Sequence, residues 1–395
     1  MKNVSCFGLG KLGSKLAEFM ATKGFNVTGV DVDPEKLANC NIPHTTTNHF
    51  YAVENTDMSI IFVNTPNLKD GAFNLIYVNQ VADNIGEALK RKDTYHLIVL
   101  RSTVLPGATE EVIKRIETAS GKKCGKDFGM IHNPEFLALG TEIENIRNPE
   151  YVLFGEHDKK AGDLYEQICK NIMDNDAPII RTNLINAELA KLMANNYITM
   201  KMNFANMIGE ICDKTPGTDP DIISDILGHD SRIGRKFLTS GLSFGGTCFC
   251  RDNEALSYYL DGLDMNMNFP RVMTVMNDHQ IDRISDKISK KIDDLRGTKL
   301  LVLGTAFKTG TDVVVESAAI KIIKKLFGRG YSISVHDPLA LNNTKEVLGN
   351  SVSYIKKIKK GIKSADLTVL ANPCPEYLAQ KYKKDRLFDC WRAIK

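Results

Sequence analysis

Short apolar runs alternate with amphipathic stretches over the first third of the chain. Runs at residues 4–9, 26–30, 58–64, 97–102, 128–132 and 151–155 have the length and composition of buried strands. Between them, residues 11–23 and 76–91 place apolar side chains at helical spacing. Such alternation predicts a parallel, doubly wound α/β sheet. From about residue 186 to 291 the strand signals fade. Residues 187–211 carry Leu189, Leu192, Met193, Ile198 and Met202 at helical period. The alternation then restarts with a strand at 299–303, a helix at 318–327 stopped by Gly328 and Gly330, and strands at 332–336 and 367–371. The expected architecture is two Rossmann-like parallel-sheet domains, residues 1–185 and 297–395, joined by a helical dimerisation region at 186–296. A long apolar helix between two such domains commonly buries its outer stripe against a second subunit, so a homodimer or higher homo-oligomer is expected.

Composition changes this picture little. Hydrophobic residues make up 43 % and charged residues 25 % of the 395, as in globular chains. Lysine and arginine total 51 against 48 acids, and a balance of +3 argues for neither nucleic acid nor membrane as partner. The basic run from Lys356 to Lys363 reads as a solvated helix face. No signal peptide is expected before the first strand, and no apolar stretch has the length to span a bilayer. Nine scattered cysteines without a CxxC pair fit reduced thiols, so a cytoplasmic location and no bound metal are expected.

The first chemistry-bearing motif is Gly8-Leu9-Gly10-Lys11-Leu12-Gly13, a G-x-G-x-x-G run. It follows an apolar strand, opens an amphipathic helix, and meets a second strand ending at Asp31, 21 residues after Gly10. In that context the glycines admit a dinucleotide pyrophosphate onto the helix N-terminus. The carboxylate would accept from the ribose 2′-OH and repel a 2′-phosphate, which favours NAD over NADP.

Three further segments carry reactive groups. Ser243-Phe244-Gly245-Gly246-Thr247-Cys248-Phe249-Cys250-Arg251-Asp252 leads two glycines into a thiol at the expected start of a helix, where a nucleophilic thiolate is favoured. Asp252 lies one turn beyond Cys248, whereas Cys250 reads as an ordinary buried thiol. In Glu188-Leu189-Ala190-Lys191-Leu192-Met193-Ala194-Asn195, Lys191 and Asn195 share one helix face, either as an exposed pair or as buried groups that meet a developing oxyanion. The segments Arg101-Ser102-Thr103-Val104-Leu105-Pro106-Gly107 and Asn133-Pro134-Glu135-Phe136-Leu137 each close a strand. Ligands bind at such carboxyl ends, which aims Thr103 and Glu135 at the crevice of the glycine run.

Taken in order, GLGKLG with Asp31, Asn64-Thr65-Pro66, STVLPG, NPEFL, ELAKLMAN, SRIGRKFL, FGGTCF-x-RD, GTAFK and His336-Asp337-Pro338 resemble the UDP-glucose/GDP-mannose dehydrogenase family over nearly the whole chain. The resemblance implies a four-electron oxidation of a nucleotide-linked hexose at C6, using two NAD in sequence and a thioester on Cys248, for polysaccharide precursor synthesis. UDP-glucose is the first expectation for the substrate, with GDP-mannose or a UDP-N-acetylhexosamine as alternatives. In catalysis, Lys191 and Asn195 would stabilise the alkoxide and oxyanion, Asp252 would assist the lysine and water, Glu135 would act as acid/base or position water, and Thr103 would hold that water. Cofactor contacts are implied for Gly8, Leu9, Gly10, Lys11, Leu12, Gly13, Asp31, Lys36, Thr65, Pro66, Ser102, Thr103 and Arg251. Substrate contacts are implied for Glu135, Phe136, Leu137, Lys191, Asn195, Phe244, Gly245, Gly246, Phe307 and Lys308, and for Arg232 reaching across a dimer.

The chain departs from the family pattern at Leu139, where many members have a second glutamate, at Thr239, often a lysine, and at Val315, often an arginine. A two-electron β-hydroxyacid dehydrogenase is the rival reading. It shares the Rossmann domain and a Lys-x-x-x-Asn pair, but has no use for a GG-x-C thiol or for a second α/β domain.

Overall fold

Side chains alternate from one sheet face to the other with period two, and the apolar runs here are dense enough to fill both sides. In β5 (His96–Leu100), Leu97 and Val99 enter one core cluster while Ile98 and Leu100 enter another. The computed structural model describes residues 1–136 and 142–394. They divide into two compact units, Met1–Met193 and Ala194–Lys395, with the boundary inside one 31-residue helix, Leu184–Lys214.

In the first unit, β1 (Asn3–Phe7), β2 (Asn26–Val30), β3 (His44–Thr46), β4 (Met58–Ile61), β5, β6 (Phe128–His132), β7 (Val152–Glu156) and β8 (Ile179–Asn183) form one sheet. Their order is β3-β2-β1-β4-β5-β6-β7-β8. The order reverses between β1 and β4, which is where a doubly wound sheet opens its ligand crevice.

The sheet departs from a uniformly parallel one in a single place. β7 runs antiparallel to β6, and β8 then runs parallel to β7. Between β6 and β7 the described residues hold only the six-residue helix Glu142–Arg147, short for the crossover that a parallel return requires. Several apolar runs also leave the sheet earlier than their pattern predicts. Residues 8–9, 62–64 and 101–102 belong to loops at the carboxyl edge, not to strands.

In the second unit, helices Pro220–His229, Gly246–Gly262 and Phe269–Asp294 precede a five-stranded parallel sheet. Its strands are β9 (Lys299–Leu303), β10 (Ser332–His336), β11 (Ser353–Tyr354), β12 (Leu367–Leu370) and β13 (Leu387–Asp389), in the order β11-β10-β9-β12-β13. Leu300 and Val302 face one core cluster and Leu301 and Leu303 the other. The arrangement repeats that of the first sheet, with its switch point between β9 and β12. Among the described residues no helix is long and apolar enough to cross a membrane.

The long helix departs from the usual amphipathic rule, because its buried face mixes Leu184, Leu192 and Ile208 with many polar groups. Glu188, Lys191, Asn195, Asn196, Thr199, Asn203 and Asn206 are buried, while Leu189, Met193, Tyr197, Phe204, Met207 and Ile211 are exposed.

Candidate active site

The glycine run ends β1 in a turn that tolerates no side chain at two positions. A Cβ on Gly8, whose φ is +97°, would lie 2.4 Å from the Phe62 carbonyl oxygen, and one on Gly13 would lie 1.9 Å from the Gly8 oxygen. Gly10 faces open space and heads helix Lys11–Thr22 with no side-chain cap, so the first-turn N–H groups around Lys11 and Leu12 face outward. Asp31 follows β2 and accepts from the Leu9 N–H at 2.8 Å and from the Asp33 N–H at 3.0 Å. Lys36 places its ammonium 3.6 Å from the Asp31 oxygen that accepts from Asp33. An uncapped helix N-terminus, a floor that a Cβ would fill and a carboxylate at the end of β2 fit the pyrophosphate and ribose of NAD.

Four of the expected residues stand on the loops beside this turn. Thr65 is buried and donates to the Thr103 carbonyl at 2.8 Å. Ser102 donates to the Val63 carbonyl at 2.7 Å and accepts from the Val63 N–H at 3.0 Å. These hydroxyls staple the loops after β4 and β5 together, while Pro66 stays exposed. Glu135 is held by Arg101, and the Phe136 ring lies 4.9 Å from the Lys191 ammonium. Leu137 and Leu139 lie outside the described residues. Lys191 is 7 % exposed and Asn195 is likewise buried, which resolves the alternative between a surface pair and a buried one.

Two residues that motif reading passed over prove to be fixtures of this edge. Arg101 is one. Glu188 is the other: its carboxylate accepts from the Gly107 N–H at 2.6 Å and the Thr109 N–H at 2.8 Å, capping helix Ala108–Ser120 where glycine offers no side chain. Burial raises the Glu188 pKa, opposed by these hydrogen bonds. A glutamate nearly one turn ahead of Lys191 on the same helix face was the available signal.

In the second unit, helix Gly246–Gly262 starts at the second glycine of the FGG segment and places Cys248 in its first turn. Cys248 is the exposed cysteine among the nine. Cys250 is half-buried, and burial pushes its thiol up to about 12, with Glu316 contributing. Asp252, one turn beyond Cys248, is fully buried and charge-paired. One oxygen accepts from Arg251 Nε at 2.9 Å and Nη2 at 2.8 Å, and the other accepts from the Asn195 amide at 2.6 Å. Burial works against the Arg251 charge, but the Asp252 carboxylate and the Cys248 sulfur outweigh it and raise its pKa.

The glycines before Cys248 are shaped by protein packing. Gly246 has φ +84°, its N–H donates to the Val315 carbonyl at 3.1 Å, and a Cβ there would lie 2.5 Å from the Phe307 ring. A Cβ on Gly245 would lie 2.0 Å from the Glu316 oxygen. The loop after β9 therefore braces the start of the Cys248 helix. Phe244 is buried and clamped on both backbone groups by Asn277, at 2.8 and 3.0 Å. Lys308 holds its ammonium 5.9 Å from the Phe307 ring centroid. Arg232 pairs with Asp230 at 2.6 Å, its side chain 87 % exposed. Asp337 after β10 mirrors Asp31, accepting from the Thr305 and Ala306 N–H groups at 2.7 and 3.0 Å.

Known proteins match this arrangement along the whole chain. The NAD binding domain of the UDP-glucose/GDP-mannose dehydrogenase family matches residues 43–173, its central domain residues 185–279, and its UDP binding domain residues 301–395. A GDP-mannose 6-dehydrogenase of Pseudomonas aeruginosa is 33 % identical over 93 % of this chain and 91 % of its own length. A UDP-glucose 6-dehydrogenase of Haloferax volcanii is 30 % identical over 95 % and 92 %. Among solved structures, a UDP-glucose dehydrogenase from Pyrobaculum islandicum superimposes with a TM-score of 0.91 at 29 % identity, covering 100 % of this chain and 95 % of that one. This chain belongs to the UDP-glucose/GDP-mannose dehydrogenase family, the NAD-dependent nucleotide-sugar 6-dehydrogenases.

Proposed function

We propose that the chain oxidises UDP-glucose to UDP-glucuronate through a covalent thioester on Cys248, as a step toward polysaccharide precursors. In this reading residues 1–185 bind NAD, residues 186–296 carry the catalytic lysine and cysteine, and residues 297–395 bind the nucleotide. Bound NAD supplies the hydride acceptor for both oxidations. The observation that carries the mechanism is the contrast between two thiols on one helix. Cys248 is exposed in the first turn of the helix, and Cys250 is half-buried, its thiol pushed up to about 12 by burial foremost.

The chain's own groups then divide the work. Lys191 and Asn195 stabilise negative charge on the C6 oxygen, and buried Asp252 orients the Asn195 amide. The Cys248 sulfur adds to the C6 aldehyde. Loss of hydride from that adduct leaves the thioester, and water assisted by Glu135 and Thr103 releases the acid. The sum is one alcohol, two NAD⁺ and one water to one carboxylate, two NADH and three protons. UDP-glucose is favoured by the match to a UDP binding domain and by the fold shared with the Pyrobaculum enzyme. GDP-mannose is the second reading, supported by the Pseudomonas relative.

The exposed apolar stripe on the long helix supports a second copy of the chain as partner, with Arg232 serving the neighbour's substrate. The functional test measures NADH released per sugar across UDP-glucose, GDP-mannose, UDP-galactose and UDP-N-acetylhexosamines. Two NADH per UDP-glucose, lost in Cys248→Ser and kept in Cys250→Ser, is expected. One NADH per substrate with an active Cys248→Ser would refute the thioester.

A further inference from the structure

β5 and β6 pair in parallel with Leu100 opposite His132, and the Asn133 N–H still donates to the Leu100 carbonyl at 3.0 Å. The residues that follow, Arg101 on one strand and Asn133-Pro134-Glu135 on the other, therefore leave the sheet side by side. Their side chains interlock. Arg101 Nη1 donates to Asn133 Oδ1 at 2.6 Å, and Nη2 donates to the Glu135 carboxylate. Tyr165 donates its hydroxyl to the same Asn133 oxygen at 2.6 Å, and the Asn133 amide donates to the Leu153 carbonyl at 2.8 Å. The guanidinium also lies over the Phe62 ring, 5.8 Å from its centroid. Only 11 % of the Arg101 side chain and 13 % of the Glu135 side chain is exposed.

We infer that Arg101 is a positioning residue for the reaction, holding the Glu135 carboxylate charged and in one fixed direction, as acceptor for the water that the proposed thioester hydrolysis consumes. The inference rests on the thioester reading above and assigns Glu135 the acceptor role over that of an acid. A guanidinium paired with a carboxylate in a poorly solvated site fixes both its direction and its charge. His132 cannot substitute as the cation, because burial foremost pushes its imidazole down to about 3. Arg101 is in turn fixed through Asn133 to Tyr165 and to the Leu153 main chain, so Glu135 inherits the rigidity of the sheet. In the step served, the water oxygen bonds to the thioester carbon and the carbon–sulfur bond breaks. The thiolate leaves on Cys248, and the water proton passes to Glu135.

The test follows the covalent species by intact-protein mass spectrometry after acid quench, in enzyme turning over NAD and UDP-glucose. Arg101→Met is expected to slow steady-state turnover about ten- to a hundredfold, the scale of a misplaced catalytic group. It should accumulate the acyl adduct on Cys248, as Glu135→Gln does, with NAD affinity within about twofold of wild type. Arg101→Lys, which keeps the charge but not the fork, should show a smaller accumulation and also serves if the methionine variant fails to fold. Adding Arg101→Met to Glu135→Gln should slow turnover by less than about twofold further, because both changes disable one unit, whereas general structural damage would multiply. Wild-type turnover in Arg101→Met, or lost activity without adduct while Glu135→Gln accumulates it, would overturn the inference and leave the thioester reading standing. No adduct in any variant, with one NADH per sugar in wild type, would overturn both.

Discussion

Replacing Asp252 by asparagine tests how the second unit holds the helix that carries Cys248. The carboxylate is fully buried and accepts three hydrogen bonds, two from Arg251 and one from Asn195. Asparagine preserves the shape and removes the charge. The two bonds from Arg251 then lose their ionic part, about 1 kcal/mol apiece, and the oxygen facing Asn195 is replaced by an N–H donor. Breaking a buried ion pair outright costs about 3–5 kcal/mol. Arg251 keeps a quarter of its side chain in solvent, which recovers part of that loss. The expected destabilisation is about 2–3 kcal/mol, equivalent to a melting temperature lower by roughly 5–10 °C for a unit of this size. The Asn195 amide must also turn, since the new amide would set N–H against N–H. In the proposed mechanism Asn195 is an oxyanion donor, and misdirecting it in this way is expected to lower kcat about 10²- to 10³-fold. Scanning fluorimetry reads the first effect, and steady-state NADH production well below the melting temperature reads the second. A melting temperature within about 1 °C of wild type would show that Arg251 and Asn195 do not depend on this carboxylate. A kcat within about twofold would refute the orienting role even if stability fell.

Three other outcomes are expected. NAD should be preferred over NADP by at least about tenfold, because in the proposed NAD site the Asp31 carboxylate after β2 would repel a 2′-phosphate, and steady-state kinetics showing NADP equal or better would refute this. His96 and His132 are held neutral, both pushed down to about 3, foremost by burial, so each stabilises the fold above its unfolded pKa near 6.5 and loses that contribution as the pH falls toward 3. Urea unfolding of the first unit should weaken below pH 6.5 by up to about 1.4 kcal/mol per pH unit per histidine, and a flat profile down to pH 4.5 would refute the assignment. Light scattering should give a mass of at least two chains, reduced by Tyr197→Asp in the exposed stripe of the long helix, and a single-chain mass for the wild type would count against the dimer.

Local chemistry carried a large part of this protein. Dense apolar runs can only be strands covered on both faces, so β2, β6, β9 and β10 coincide with their predicted residues. The glycine turn was equally legible, because a turn that rejects every Cβ at Gly8 and Gly13 leaves the chain no other residue to use. So was the place of Cys248, since two glycines followed by a helical pattern specify where a first turn begins. Strands β3, β8, β11 and β13 were not legible: they are two to five residues long, partly polar, and exist because a neighbouring strand offers unpaired backbone groups.

Only the tertiary structure decided the rest, because it depends on partners far apart in sequence. Whether Lys191 and Asn195 are buried cannot be read from a helix that buries polar and apolar side chains together and exposes several large apolar ones. That Gly245 and Gly246 are required by Glu316 and Phe307 depends on contacts some sixty to seventy residues away. Arg101 and Glu135, 34 positions apart, meet because β5 and β6 pair with Leu100 opposite His132. Sequence determines which groups each strand delivers to the edge of the sheet; strand pairing alone determines which of them touch.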